Sequence, residues 1–238
     1  MTLSRKSTKT RVRFSQHFLS DSNILRRIGD NLRDVEGKNV TETGPGKGAL
    51  TRVITEKKPK KLTLVEKDQS LIEDLKEEFE EADIQNMDIL EKSIDSEIFV
   101  SSVPYSITRE LLLHLCRSNK VNLSYLIIQK EVADKIAEEA SVPVSVYVRT
   151  YFYVKKMFDI KKNSFIPPPK VNSSFVRLER IKEFEEKEND FWLFLTKTLS
   201  GKNKSAAVFG EEHKGKRIFE LSAEELHRIY ADKHIHTH

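Results

Sequence analysis

The sequence predicts an α/β protein: a Rossmann-like, mostly parallel sheet with crossover helices, followed by a small α-helical domain. Between residues 23 and 128, short apolar strand patterns alternate with amphipathic helical patterns. Three of the eight glycines, Gly44, Gly46 and Gly48, fall together where a strand pattern gives way to a helical one. Beyond residue 182 the strand patterns stop and charged, helix-forming segments take over.

Residues 1–19 read as an irregular basic arm. Ser20 or Asp21 caps a helix over residues 23–32, whose apolar positions 24, 25, 28 and 32 share one face. A short strand at 38–43 runs into the glycine turn, and residues 47–56 continue as a helix. A buried strand at 62–65 ends in Glu66, and a helix at 69–80 presents Leu71, Ile72, Leu75 and Phe79 on one side. Strands follow at 83–85, 98–100 and 125–128, with a helix at 107–117. Residues 144–160 are rich in Val, Tyr and Phe and read as at least partly extended. Residues 175–178 form a further strand, expected to pair with that stretch at the sheet edge. Helices are expected at 188–199, 203–209 and 222–231, the last opened by a capping box of Ser222 and Glu225. This divides the chain into a domain at 1–180, including the arm, and a small helical domain at 181–238.

A chain of 238 residues buries a core without disulfides, and its single cysteine, Cys116, excludes a disulfide scaffold and a Cys-rich zinc module. Cys116 stands beside Leu115 on an apolar helical face and reads as core. No apolar run approaches the ~20 residues of a membrane span, and no apolar segment follows the basic N-terminus. The expectation is a soluble, cytoplasmic protein with no membrane association, acting as a monomer.

The net charge of +4 is a balance of opposed segments. Residues 1–13 carry five bases and no acid, residues 155–170 five bases and one acid, and residues 197–217 six bases and two acids. Residues 72–97 carry eleven acids and two bases. Basic segments converging on one face would form an electrostatic footprint for nucleic acid, with the acidic stretch turned away from it.

The strongest single motif is Glu42-Thr43-Gly44-Pro45-Gly46-Lys47-Gly48. Glycines at a strand-to-helix turn let a ligand approach the backbone closely. The acidic Glu42 suits a ligand bearing positive charge. Glu66 lies 22 residues past Gly44 at the end of the next strand, where a carboxylate accepts from ribose hydroxyls. Asp88 ends the third strand, placed to accept from an adenine amino group. Gly44, Gly46 and Ala49 also fit the dinucleotide fingerprint. Gly48 and Glu42 fit better the E-x-G-x-G-x-G loop of class I S-adenosylmethionine methyltransferases. A merely structural turn is the third alternative.

Ser102-Val103-Pro104-Tyr105 stands where amino-methylating enzymes carry Asn-x-Pro-Tyr. With it, Arg13–Leu19 (RFSQHFL), Glu42–Thr51 (ETGPGKGALT), Gln129–Ala133 (QKEVA), Phe165–Ser173 (FIPPPKVNS), Asn203-Lys204 and Arg217–Leu226 (RIFELSAEEL) resemble the ribosomal RNA adenine dimethyltransferases. The resemblance spans essentially the whole chain. It implies methyl transfer from S-adenosylmethionine to adenine N6, twice per base, in small-subunit ribosomal RNA or its assembling particle. It also implies that His17 and Leu19 close over the cofactor, that Gly44 and Gly46 cradle it, and that Glu66 and Asp88 accept from its ribose and adenine. Ser102 would contact both cofactor and target. By the same resemblance the Ser102 side chain and the Pro104 carbonyl accept the N6 hydrogens. Accepting them returns the delocalised lone pair to nitrogen. Tyr105 would then stack on the base and Phe165 cover its other face.

Taken singly, His17 reads as a surface histidine, Tyr105 as core, Phe165 as a loop anchor and Asp88 as a turn cap; the motifs reverse these readings. The sequence departs from the family pattern at Ser102, where the usual residue is Asn, and at Ser15, where it is Gly. A hydroxyl is shorter and offers one oxygen. It therefore raises the alternative of a ribosome-assembly or RNA-binding factor of the same fold with weak or lost catalysis. Methylation of large-subunit RNA and a nicotinamide oxidoreductase are the remaining alternatives. The terminal His234, His236 and His238 read as a frayed end.

Overall fold

A computed structural model describes residues 17–138, 141–200 and 204–235. The basic segment at 1–13, Ser15, Asn203, His236 and His238 lie outside the described residues.

The elements, in chain order, are β1 (Phe18–Leu19), α1 (Ser22–Asn31), β2 (Asn39–Thr43), α2 (Ala49–Thr55), β3 (Lys61–Glu66), α3 (Ile72–Glu78), β4 (Asp83–Asn86) and β5 (Ile98–Ser102). After them come α4 (Thr108–Arg117), β6 (Leu123–Gln129), α5 (Lys130–Ala137), α6 (Pro143–Tyr151) and β7 (Phe152–Ile160). The chain ends with β8 (Phe165–Ile166), β9 (Ser173–Arg180), α7 (Phe191–Ser200) and α8 (Ala223–Ile235). Seven strands form one sheet in the order β4-β3-β2-β5-β6-β9-β7, while β1 and β8 form a separate two-stranded ribbon. The pairs from β4 to β6 are parallel and β9 and β7 are antiparallel, so the expected α/β class and crossover helices are found.

Side-chain alternation along the strands builds a core on each face. Ile98 and Val100 of β5 and Tyr125 and Ile127 of β6 face one cluster, with Ile28 of α1 and Ile54 of α2. Phe99, Leu126 and Ile128 face the other, with Leu111 of α4 and Tyr147 of α6.

Several expectations are corrected. Helix α2 begins at Ala49 because Gly48 takes a left-handed conformation (φ 74°) as its N-cap. The stretch 144–160 is helix α6 followed by strand β7, Pro143 opening the helix where its missing N–H costs nothing. Helix α5, over the Gln129–Ala133 match, went unassigned because its periodic segment is only eight residues. Strand β9 does pair with β7, but it is the second strand in, and β7 forms the edge. Residues 206–209 form a single 3₁₀ turn rather than a helix over 203–209.

The C-terminal helices do not enclose a core of their own. Phe191 and Leu195 of α7 and Leu226 and Tyr230 of α8 join the cluster built on Tyr147 and Tyr151 of α6. The buried Glu188 pins this junction, accepting from Lys182 and His227 and, at 3.3 Å, from the Tyr151 hydroxyl.

Arg180, at the end of β9, ties that strand to the C-terminal end of α4. Its guanidinium donates to the carbonyls of Val121 (2.7 Å), Leu115 (2.8 Å), Ser118 (3.0 Å), Lys182 (3.0 Å) and Cys116 (3.2 Å), and lies 4.4 Å from the centre of the Phe152 ring. Three of those carbonyls belong to the C-terminal end of α4, where orphan acceptors and the helix dipole favour a cation. A lysine cannot present this planar fork. Arg180→Lys should therefore lower stability by about 2–3 kcal/mol, at net ~1 kcal/mol per lost bond, read as a lower urea midpoint with an unchanged m-value.

Candidate functional site

Strand order reverses between β2 and β5: after β2 the chain moves outward through β3 and β4, then returns to add β5 on the other side. Loops leaving such neighbouring strands diverge and open a crevice at their carboxyl ends. Here the crevice is a cavity of about 300 Å³, lined by the glycine turn, the Ser102–Tyr105 turn and the β1/β8 ribbon.

The turn after β2 owes its shape to positive φ at Gly44 (64°) and Gly46 (58°). A Cβ on Gly44 would meet nothing within 4 Å, so that face is open toward a ligand. A Cβ on Gly46 would lie 2.7 Å from the Phe18 ring, so here glycine lets the β1 ribbon close down on the turn. The Gly44 amide donates to the Val65 carbonyl at 2.9 Å, anchoring the turn to β3.

Two buried carboxyls frame this turn. Glu66 accepts from the Gly46 amide (3.2 Å) and the Asp68 amide (2.8 Å), and burial raises its pKa despite these bonds. Glu42 is 1% exposed, and its Oε2 has no hydrogen-bond partner among the described residues. Burial pushes its carboxyl up to about 8, and the neighbouring Glu66 acts in the same direction. Such an orphaned acidic oxygen beside an open glycine face fits a ligand carrying a cationic or donor group.

Asp88 follows β4 but does not line the cavity. Its Oδ1 caps a turn by accepting from the Leu90 amide, and its Oδ2 pairs with Lys67 at 2.7 Å. These contacts hold its carboxyl below the usual range, the Lys67 bond above all.

The turn after β5 is placed by its ladder. The Ser101 hydroxyl donates to the Thr43 carbonyl at 3.0 Å, and the Val103 amide donates to the Ile127 carbonyl at 3.0 Å. Ser102 and Tyr105 both line the cavity. The Pro104 carbonyl is occupied, accepting from the Ile107 amide at 3.1 Å and the Thr108 hydroxyl at 3.4 Å. No bond to the Val103 carbonyl is found among the described residues, and Val103 also lines the cavity. The Tyr105 hydroxyl is 2.8 Å from Ser173 Oγ on β9, and burial raises the phenol's pKa.

The ribbon closes the cavity from above. Its register sets Leu19 opposite Phe165 and Phe18 opposite Ile166. Leu19 and Phe165 are buried, at 5% and 3% exposure. His17 Nδ1 donates to the Pro167 carbonyl at 2.8 Å, since a carbonyl only accepts. The His17 ring stands 6.0 Å from that of Tyr105.

The structure thus brings together His17, Leu19, Gly44, Gly46, Glu66, Ser102, Pro104, Tyr105 and Phe165, while Asp88 stands outside the lining. Phe18, Val103, Ile166 and Ser173 line the cavity too and were not singled out from sequence. All four lie inside the family-like stretches, which was the only signal that could have found them. Cys116 is fully buried and its thiol is pushed far up, as a core residue. The acidic stretch 72–97 holds α3 and edge strand β4, at the opposite side of the sheet from β7 and its lysines. No helix among the described residues is long and apolar enough to cross a membrane.

Comparison with known proteins agrees with this geometry. A family model described as ribosomal RNA adenine dimethylase matches residues 7–208. A protein of Malacoplasma penetrans named ribosomal RNA small subunit methyltransferase A is 35% identical over 207 residues, covering 81% of this chain and 75% of the relative. One of Mycoplasmopsis pulmonis with the same name is 32% identical, covering 90% of each. In fold, the chain is similar to a dimethyladenosine transferase of Plasmodium falciparum, with a TM-score of 0.78 and 19% identity over 91% of this chain and 97% of that one. It is also similar to the 23S rRNA methyltransferase ErmE, with a TM-score of 0.71 and 21% identity over 90% and 98%.

The Glu42 carboxyl makes stability depend on pH with a defined sign. A glutamate titrates at 4.5 when unperturbed and at about 8 in this fold. Between those values the folded state holds a proton that the unfolded chain has lost, so stability falls as pH rises through the window. Urea unfolding of the cofactor-free protein should show this decline, at most about 1.4 kcal/mol per pH unit, and Glu42→Gln should flatten it.

Proposed function

The chain belongs to the ribosomal RNA adenine dimethylase family and is an enzyme of that class, and from this premise we propose that it dimethylates adenine N6 in small-subunit ribosomal RNA, using S-adenosylmethionine, during subunit assembly. The observation that carries the reading is the single cavity at the β2/β5 reversal, lined at once by a glycine turn and a Ser-Val-Pro-Tyr turn.

S-adenosylmethionine, when bound, supplies an electrophilic methyl on a sulfonium. The open Gly44 face and the orphaned Glu42 oxygen are the features that fit it. Gly44, Gly46 and Glu42 would hold its charged tail, and Glu66 would accept from its ribose hydroxyls. Asp88 would accept from its adenine by exchanging Lys67, an exposed partner. His17 and Leu19 close the ribbon above it.

On the target side, Tyr105 offers a ring face for the base and Phe165 bounds the opposite wall. Adenine N6 is a poor nucleophile because its lone pair is delocalised. Acceptors on its two hydrogens localise that pair, and positioning along the line of transfer supplies much of the rest. The Ser102 hydroxyl is one acceptor. The Val103 carbonyl is the other, in place of that of Pro104, whose lone pairs serve the following turn. Lys197 and Lys204, exposed in the region after residue 181, would contact phosphates and make binding salt-dependent.

Ser102 also favours a second reading, a ribosome-assembly factor of this fold with little catalysis. Labelled methyl transfer to under-methylated small subunits, followed by mapping of the modified nucleotide, separates the two. Doubly methylated adenine supports the enzyme, and tight particle binding without transfer supports the factor. If the serine merely weakens the site, Ser102→Asn should raise transfer about tenfold or more; a large fall would show that the hydroxyl has its own compensated geometry. Tyr105→Ala should cost about 100-fold in kcat/KM, whereas Tyr105→Phe, which keeps the ring face, should stay within about fivefold.

A further inference from the structure

We propose that Ile166 is a wedge that enters the base stack of the target RNA beside the methylated adenine, filling the place the extruded base leaves. The inference rests on the RNA-methylating reading above and adds a positioning residue to it.

The two residues of β8 point to opposite sides, as strand residues must. Phe165 is 3% exposed, whereas Ile166 lines the cavity rim and is 64% exposed. Its backbone is held on both flanks. Ile166 is in register with Phe18, the Pro167 carbonyl accepts from His17 at 2.8 Å, and the Ser164 carbonyl accepts from the Ser20 amide at 2.9 Å. A branched aliphatic tip is therefore presented to solvent at a fixed point beside the cavity mouth. The ridge continues through exposed Pro167 and Pro168 to Val171, which is 46% exposed.

Charge identifies the partner. Lys161, Lys162 and Lys170 flank the ridge, are exposed, and have no carboxylate partner among the described residues. Lys130 and Lys156 of the same region behave differently, each pairing with Asp134 and Asp159. An apolar tip flanked along the chain by exposed lysines matches a polyanion whose interior is stacked and apolar, which is an RNA strand. Extruding a base costs its stacking, and aliphatic side chains offset such losses when they enter a base step.

The test compares wild-type, Ile166→Ala and Ile166→Leu proteins on two RNA hairpins carrying the adenine mapped on the wild-type enzyme. One hairpin has normal neighbours and the other has abasic residues on both sides of the adenine. Ile166→Ala should lower kcat/KM about tenfold or more on the first hairpin and less than twofold on the second. Ile166→Leu should restore activity, and S-adenosylmethionine affinity by calorimetry should not change. Less than twofold loss on both hairpins overturns the wedge. So does an equal loss on both, or a parallel loss of cofactor affinity, either of which would mark a structural role for the ribbon. Failure of the wild-type protein to methylate any RNA removes the functional reading and the wedge with it, whereas an active wild type with an unaffected Ile166→Ala removes the wedge alone.

Discussion

The parallel pairing of β2 with β5 is the constraint on which the rest of the molecule depends. It puts Thr43 beside Ser101, with the Ser101 hydroxyl donating to the Thr43 carbonyl. Because the strands on either side were added in opposite directions, the loops that leave them part company above this pair. The glycine turn and the Ser102–Tyr105 turn are thereby placed by one ladder of backbone hydrogen bonds. A one-residue slip of β5 would turn Ser102 from the cavity to the opposite face, so the register carries the chemistry as much as the residue types do.

Buried acid sets the electrostatics of the site. Two acidic side chains are buried close together, and one keeps an oxygen with no partner among the described residues. Burying a carboxylate is unfavourable unless it is paired, so the fold answers by holding a proton on Glu42. A cationic, donor-rich ligand would relieve the same cost by supplying the missing partner. The glycines serve this arrangement sterically, one by leaving a face open and the other by letting Phe18 approach.

The C-terminal helices contribute to the same body. Helix α6 buries its tyrosines against α7 and α8 as well as against the sheet, and Glu188 satisfies polar groups trapped at that seam. The expected boundary near residue 180 marks a change in composition, while the hydrophobic cluster runs across it. The charged tail thus packs its apolar residues on the face of α6 that the sheet does not cover, with Glu188 as the polar contact there.

Much of this was legible in the residues themselves. The five parallel strands, the helices α1, α3 and α4 and the glycine turn follow from periodicity, caps and glycine placement, which are local properties. The residues brought together at the cavity were legible through the family resemblance of the motifs that hold them. What local pattern could not decide was set by long-range pairing. Strand β9 lies inside the sheet and β7 at its edge because both bond antiparallel to neighbours far away in sequence. Asp88 caps its own turn and pairs with Lys67 because the end of β4 sits beside the end of β3. Ile166 is aliphatic, yet the two-residue ribbon with β1 turns it to solvent while Phe165 beside it is buried. By itself, the sequence determined the class of fold and the chemistry available at each strand end. Only the tertiary structure decided which carbonyls, carboxylates and apolar side chains are left free to use it, because their partners come from segments far removed along the chain.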